Sequence, residues 1–214
     1  MELIIGPRAY STWSLRGWLV MRMTGADFAV IDAQYDTPEH KAALEALSPS
    51  GFVPALRVGG EVIWDTLAIA EWAAETYPEA GLWPTDPVAR ALARSVSAEM
   101  HSGFSALRTV CGTGPDHPMV GPARAATPVD PGLDRDLARL VVLFRQMRGR
   151  FAADGPGLFG ARSVADAFFT PVAARVRHFQ IDLGAYGDDS TASAYLAALL
   201  DHPDFRQWEI DAGR

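Results

Sequence analysis

The spacing of apolar residues changes near residue 80, and this change restricts the folds open to the chain. Before it, short apolar runs alternate with helical patterns in the order βαβ, then α, then ββα. The βαβ crossover implies parallel strands, whereas Gly59-Gly60 between the last two runs indicates a hairpin and an antiparallel edge. After residue 80, apolar residues recur at steps of three and four, which predicts helices alone.

These patterns predict an α/β domain over residues 1–80, a linker over 81–87 and an all-helical domain over 88–214. In the second domain, the apolar stripe from Leu92 to Cys111 predicts one helix of roughly 24 residues. The Gly- and Pro-rich stretch 112–131 predicts a long loop, which is either a lid over a pocket or a disordered connection.

Composition narrows the classes of function. The 214 residues carry a formal net charge of −7, so the broad positive field of a binder of nucleic acid or anionic membrane is not expected. No apolar stretch approaches the roughly 18 residues of a membrane span, and no signal-peptide leader is seen. One cysteine, Cys111, excludes an internal disulfide and a thiolate-rich metal site, so we expect a cytoplasmic protein without a metal.

The segment Tyr10-Ser11-Thr12-Trp13-Ser14-Leu15-Arg16 marks a strand-to-helix turn. Its hydroxyls lie beside free backbone N–H groups and the positive end of the helix dipole, where an anion can be stabilised. Ser and Thr at a helix start are also common N-caps, and the segment by itself favours that reading.

The segment Ser48-Pro49-Ser50-Gly51-Phe52-Val53-Pro54-Ala55-Leu56 precedes a predicted strand. Pro54 suits a first strand position or a cis turn, because proline has no N–H for the sheet. A cis bond would turn the Val53 backbone outward toward an extended peptide ligand. The alternative is a simple loop with two prolines.

Two further segments lie at predicted helix starts. In Trp64-Asp65-Thr66-Leu67-Ala68-Ile69, Thr66 can offer a hydroxyl and an N–H to a carboxylate, although capping explains the same residues equally well. Ser163-Val164-Ala165-Asp166 is a capping box, to which we assign no chemistry.

Together these segments resemble the cytosolic glutathione transferase superfamily over almost the whole chain. They follow the family's order, with Leu-Trp-Pro at the linker between the Asp-Thr and the Ser-Val-Ala-Asp segments. The resemblance implies a thioredoxin-like N-terminal domain that binds glutathione as co-substrate. It further implies an all-α domain that supplies most of the pocket for a small electrophile, and a homodimer.

The turn at residues 11–16 resembles the Ser-type members, especially the zeta-like pattern Ser-Ser-Cys-x-x-Arg. That register implies that Ser11 meets the glutathione sulfur, with Thr12 and Ser14 as alternatives. Trp13 stands at the Cys position, which weighs against a maleylacetoacetate isomerase and against thiol–disulfide chemistry. Lowering the thiol pKa by about two units needs roughly 2.7 kcal/mol. One hydrogen bond to a charged acceptor at a helix N-terminus can supply that.

The resemblance also implies the residues that bind the rest of glutathione. The Val53 backbone, before Pro54, would pair with the cysteinyl part. Asp65 and Thr66 would hold the γ-glutamyl end, where most members have Glu-Ser. The remaining candidates lie near the position that contacts the glycyl carboxylate, and they are His40 and Lys41.

The candidates for the second-substrate pocket are Trp13, Met100, His101, Phe104 and Arg108. Met100 and Phe104 share the apolar stripe, which favours core packing instead. His101 and Arg108 lie off the stripe, where either could face the cleft or water. Cys111 ends the stripe and is expected to be a buried, inert thiol.

We therefore expect a glutathione transferase that adds the thiolate to a small hydrophobic electrophile, with Ser11 stabilising the thiolate. The first alternative is a glutathione-dependent isomerase, because addition followed by elimination gives net isomerisation. The second is a non-catalytic module of the same fold that serves protein contacts.

Overall fold

The computed structural model describes residues 1–123, 125–151 and 155–213. Four strands and three helices make up the first part of the chain. They are β1 (Glu2–Ile5), α1 (Thr12–Met23), β2 (Ala29–Asp32), α2 (Pro38–Leu47), β3 (Ala55–Val58), β4 (Glu61–Ile63) and α3 (Thr66–Thr76). The second part contains α4 (Pro87–Ser102), α5 (Ser105–Val110), α6 (Pro131–Phe151), α7 (Val164–His178), α8 (Thr191–Asp201) and α9 (Pro203–Ala212).

The strands form one mixed sheet in the order β2-β1-β3-β4. β1 and β2 are parallel, whereas β3 is antiparallel to both β1 and β4, so the predicted crossover and hairpin are confirmed. Gly59 and Gly60 have φ of 59° and 89°, a region that glycine enters without steric cost, and they join Val58 to Glu61 in one tight turn.

Alternating residues of β1 supply both faces of the sheet. Leu3 and Ile5 belong to the main core with α1 and α3, while Ile4 packs with Leu44 of α2 on the opposite face. This period of two places α1 and α3 on one side and α2 on the other. The N-terminus of α1 follows the carboxyl end of β1, an internal strand of the sheet, after residues 6–11.

The helix predicted from Leu92 to Cys111 is two helices. The chain turns at Gly103 and Phe104, where Phe104 adopts a left-handed φ of 53°. A Cβ on Gly103 would lie 2.7 Å from the Glu99 carbonyl oxygen, so only glycine allows this turn. The apolar stripe itself continues into the core, which explains why periodicity did not reveal the break.

The capping box at the start of α7 is confirmed. Asp166 accepts hydrogen bonds from the Ser163 N–H at 2.7 Å, from the Leu158 N–H at 2.8 Å and from the Tyr195 hydroxyl at 2.8 Å. The box anchors a helix that is buried almost throughout and packs against α1 and α4. Among the helices described, none is long and apolar enough to cross a membrane.

Candidate active site

A cleft of about 800 Å³ opens between the strand-containing part of the chain and the later helices. On one side its walls are the start of α1, helix α2 and the loops before α2 and β3. On the other side they are α5, α7 and the loop after α5. The residues lining it are Tyr10, Ser11, Thr12, Trp13, Arg16, Tyr35, Asp36, Lys41, Leu44, Glu45, Gly51, Phe52, Val53, Arg108, Gly112, Thr113, Gly114, Pro115 and Arg175.

Ser11 occupies the N-cap position of α1 but makes no capping hydrogen bond to the helix. Its Oγ instead donates to Ser14 Oγ at 2.7 Å, and Ser14 Oγ also accepts from the Gly6 N–H at 2.9 Å. Ser14 is fully buried outside the cleft, whereas Ser11 and Thr12 line it. Of the candidate hydroxyls, Ser11 and Thr12 therefore face a ligand at the positive end of the α1 dipole.

Three side chains converge on Gly6, directly after β1. A Cβ on Gly6 would lie 2.6 Å from Tyr35 Cε1, 3.1 Å from Val53 Cγ2 and 3.3 Å from Ser11 Oγ. The absence of a side chain at Gly6 thus allows the Tyr35 ring to approach Ser11. Burial raises the pKa of the Tyr35 hydroxyl, so this phenol stays protonated at neutral pH and can donate a hydrogen bond.

The peptide bond between Val53 and Pro54 is cis. This confirms the predicted cis turn and excludes the simple loop. Pro54 packs on α1, where a Cβ on Gly17 would lie 2.8 Å from Pro54 Cγ. Gly17 therefore lets the loop before β3 lie directly against the helix that carries Ser11.

The two candidates at the start of α2 separate in the structure. Lys41 lines the cleft, whereas His40 is exposed and pairs with Asp36 at 2.6 Å between Nδ1 and Oδ1. Consecutive helical residues point in directions about 100° apart, so only one of the two can face the cleft.

Asp65 and Thr66 lie at the start of α3, beside the cleft and not in its lining. Asp65 caps the helix by accepting from the Leu67 N–H at 2.9 Å, and its carboxylate lies 3.1 Å from His101 Nε2. Thr66 Oγ1 lies 3.4 Å from His101 Nδ1. Burial lowers the pKa of the His101 imidazole, and the neighbouring Asp65 carboxylate opposes that shift.

The candidates for the second-substrate pocket fall into two groups, residues of the core and residues at the cleft. Met100 and Phe104 belong to the core and do not reach the cleft, because the apolar stripe of α4 faces the other helices. Trp13 and Arg108 line the cleft, and the His101 ring packs edge-on against Trp13 with centroids 5.0 Å apart. His101 thus lies next to the cleft, with 20% of its side chain exposed.

Three arginines from different helices meet at the cleft: Arg16 of α1, Arg108 of α5 and Arg175 of α7. Arg108 donates to the Met100 and His101 carbonyls, the free ends of α4 that the break at Gly103 exposes. Arg175 donates to the Cys111 carbonyl at 3.0 Å. No ion pair joins these guanidiniums to a carboxylate anywhere in residues 1–123, 125–151 and 155–213.

Each of the three guanidiniums keeps a buried nitrogen without a hydrogen-bond partner. These atoms are Arg16 Nε and Nη1, Arg108 Nε and Arg175 Nη1. Burial lowers the pKa of all three side chains, that of Arg175 to about 10, and repulsion from Arg108 adds to the shift at Arg16 and Arg175. Arginine keeps its charge in proteins, so the cleft concentrates positive charge inside a chain of net charge −7.

The sequence profile of the family described as "Glutathione S-transferase, N-terminal domain" matches residues 10–76. The chain is also 31% identical over 192 residues to maleylpyruvate isomerase of Ralstonia sp, covering 84% of this chain and 86% of the relative. This protein belongs to the cytosolic glutathione transferase superfamily.

Other members of the superfamily match this chain over almost its whole length. A probable maleylacetoacetate isomerase of Caenorhabditis elegans is 28% identical over 204 residues, covering 92% of this chain and 90% of the relative. A glutathione transferase homolog from Burkholderia, solved with bound glutathione, has a TM-score of 0.71 at 20% identity and covers 99% and 97% of the two chains. A holo maleyl pyruvate isomerase has a TM-score of 0.67 at 24% identity, with 99% and 98% covered. These structures establish the glutathione transferase fold, as the sequence predicted.

Tyr35 and Arg175 of the cleft were not predicted from the sequence of this superfamily member, and Arg16 entered only as the arginine of the pattern at residues 11–16. Arg175 carried a usable signal, because a positive charge within the otherwise apolar run of α7 needs an explanation. Arg16 had the same signal within α1. Tyr35 stands in a polar loop after β2 and had no distinguishing context.

Proposed function

We propose that this protein is a glutathione-dependent cis–trans isomerase of a small unsaturated dicarboxylate, such as maleylpyruvate or maleylacetoacetate. The arginines at the cleft carry the proposal. Arg16, Arg108 and Arg175 line one cleft and form no ion pair with a carboxylate among the described residues, a concentration of positive charge suited to a substrate with two carboxylates. The names of the curated relatives support the same chemistry.

Glutathione would bind to the portion of the chain spanning residues 1–80, with residues 88–214 supplying most of the electrophile pocket. Ser11 would hold the thiolate, while Thr12 and Tyr35 lie close enough to the same point to assist. Val53 would pair with the cysteinyl unit, Asp65 and Thr66 would hold the γ-glutamyl end, and Lys41 would meet the glycyl carboxylate. A hydroxyl that donates to sulfur and a helix N-terminus both favour the thiolate.

In this reaction the thiolate adds to one carbon of the cis double bond, forming a C–S bond and an enolate. Rotation follows about the carbon–carbon bond, which is now single. The enolate then collapses, the C–S bond breaks and the trans double bond forms, so glutathione returns unchanged. The arginines would hold the carboxylates and stabilise the negative charge that develops on the substrate oxygen.

The cleft favours this anionic electrophile over the hydrophobic one expected from the sequence. An apolar substrate would cover the three guanidiniums without supplying a counterion, which costs free energy. Conjugation and isomerisation share the first addition step, so the two activities differ only in whether elimination follows. The Trp13 departure from the zeta pattern therefore does not remove the isomerase reading, since neither step forms or breaks a bond at position 13.

We further propose that the protein forms a homodimer and that it is cytoplasmic. Phe52 and Trp64 are exposed to 75% and 47% and flank Val53 and Asp65, a surface that a second copy would cover. Sedimentation velocity of the purified protein tests the dimer. A single, buried cysteine fits a reducing compartment.

The decisive experiment incubates the enzyme with maleylpyruvate and substoichiometric glutathione, and follows the trans product and the free thiol together. We expect many turnovers with a constant thiol concentration. A stoichiometric fall in thiol would instead identify a conjugating transferase. If the protein binds no glutathione at all, the non-catalytic module is correct.

A matched pair of variants tests the role of the arginines. Arg175→Met should raise the KM for maleylpyruvate by about tenfold to a hundredfold, because a charge-assisted hydrogen bond is lost. Arg139→Met is the control, since Arg139 lies far from the cleft in a bidentate pair with Glu99 at 2.7 and 2.8 Å. Equal effects of the two substitutions would contradict the proposed carboxylate site.

A further inference from the structure

We propose that Trp13 is a positioning residue that holds two of the cleft arginines in place of a carboxylate counterion. Its ring would thereby make the site selective for a doubly charged electrophile. This inference rests on the proposed function, because it concerns how the same substrate site is assembled.

The geometry centres on the Trp13 ring. The Arg16 guanidinium carbon lies 4.5 Å from the ring centroid and that of Arg108 lies 5.0 Å from it. Both distances are within the range of a cation–π interaction, which arises because the ring face carries partial negative charge. Phe168 adds a second ring to Arg16 at 5.4 Å.

The Arg16 and Arg108 guanidiniums lie close to the same Trp13 ring, and an attraction is needed to offset the cost of placing two cations there. Burial lowers the pKa of both Arg16 and Arg108, and repulsion from Arg108 lowers the pKa of Arg16 further. Asp136 acts on Arg108 only through its charge, and neither side chain forms an ion pair with a carboxylate within the described ranges. The Trp13 ring is therefore the attractive group that the two guanidiniums share, while Arg108 is also held by the Met100 and His101 carbonyls.

An aromatic ring at position 13 attracts a guanidinium without neutralising its charge, whereas a carboxylate there would neutralise it. A carboxylate at position 13 would take up the N–H donors and would compete with the substrate for them. The ring attracts the cations without pairing them with an anion, so no carboxylate among the described residues forms an ion pair with Arg16 or Arg108. Trp13 thus keeps the positive charge in position beside the cleft.

The ring is itself held from a third direction. The His101 imidazole packs edge-on against Trp13 at 5.0 Å, while its Nε2 lies 3.1 Å from the Asp65 carboxylate. The position of Trp13 is consequently tied to the start of α3. A smaller aromatic ring at position 13 keeps the face but reaches less far, which makes phenylalanine the conservative variant.

The test measures binding of maleate and of its uncharged diamide to the full chain saturated with S-methylglutathione, which cannot react. The readout is the ratio of the two dissociation constants, obtained by calorimetry. Trp13→Leu should reduce the preference for maleate by about tenfold, in line with two lost cation–π contacts, and Trp13→Phe should restore most of it. Melting temperatures confirm that each variant is folded.

The test distinguishes an error in the proposed function from an error in the role of Trp13. If wild type does not prefer maleate over the diamide, the dicarboxylate site of the proposed function is wrong. If wild type prefers maleate but Trp13→Leu weakens both ligands equally, Trp13 is only a wall of the cleft and this inference is overturned. Trp13→Glu provides a second test, because it should abolish the preference for maleate without lowering the melting temperature; retained preference would also overturn the inference.

Discussion

The hydroxyl oxygens of Ser11 and Ser14 lie 2.7 Å apart, with Ser11 at the cleft and Ser14 fully buried behind it. Ser14 also accepts from the Gly6 N–H, so the buried oxygen has a fixed position. In the proposed complex, Ser11 would donate to the glutathione sulfur, and the Ser14 hydroxyl could then donate to Ser11 Oγ. The pair would therefore bind the thiolate without leaving a hydroxyl unpaired.

This relationship predicts opposite behaviour for two alanine variants. Ser11→Ala should raise the thiol pKa of bound glutathione by about one to two units, with little change in the free energy of unfolding. Ser14→Ala should lower that free energy by about 1–3 kcal/mol, because the buried Gly6 N–H loses its acceptor. Thiolate absorbance against pH and urea unfolding measure the two effects. If the thiol pKa rises in Ser14→Ala and not in Ser11→Ala, then Ser14 and not Ser11 contacts the sulfur.

Arg16 is expected to be unfavourable for stability and necessary for ligand binding. It is 1% exposed, and two of its nitrogens lack partners. Arg16→Met should therefore raise the free energy of unfolding of the unliganded protein by about 1 kcal/mol, since an unpaired buried charge is removed. It should also reduce the rise in melting temperature that maleate produces. Chemical denaturation with and without maleate measures both, and a destabilised Arg16→Met would show that the charge is compensated.

Stability should decrease with acidification through the titration of His101. Because burial lowers its pKa below the ordinary value of 6.5, the unfolded chain binds more protons between the lowered pKa and 6.5. The free energy of unfolding therefore falls as pH drops through that window and levels off below it. Burial also lowers the pKa of His202, which adds to the slope.

Substitution separates the two histidines. His101→Gln should reduce the slope of unfolding free energy against pH, while the part due to His202 remains. Urea unfolding at several values between about pH 5 and pH 7 measures the slope. An unchanged slope in His101→Gln would mean that His101 keeps its ordinary affinity for protons in the folded state.

Cys111 should be unreactive in the native protein. The residue is fully buried, and burial raises the pKa of its thiol to about 11, so only about one molecule in a thousand carries the thiolate at pH 8. Labelling with an aromatic disulfide reagent should be slow in buffer and immediate in denaturant. Fast labelling of the native state would contradict the burial of Cys111.

Local chemistry made much of the fold predictable. The Gly59-Gly60 turn, the cap formed by Asp65 and the box from Ser163 to Asp166 each depend on residues only a few positions apart. The period of the apolar residues similarly indicated strands before residue 80 and helices after it. The break at Gly103 was missed because the buried stripe runs through it without interruption.

The sequence by itself therefore determined the elements, the superfamily and the segment that carries Ser11, since all of these are contained in short stretches. Only the tertiary structure decided what the cleft can bind. Arg16, Arg108 and Arg175 are far apart in the chain, and they meet because α7 packs against α1 and the turn at Gly103 directs α5 toward the cleft. Electrostatic interaction depends on distance in space, so no local pattern could reveal that three scattered charges meet at one cleft.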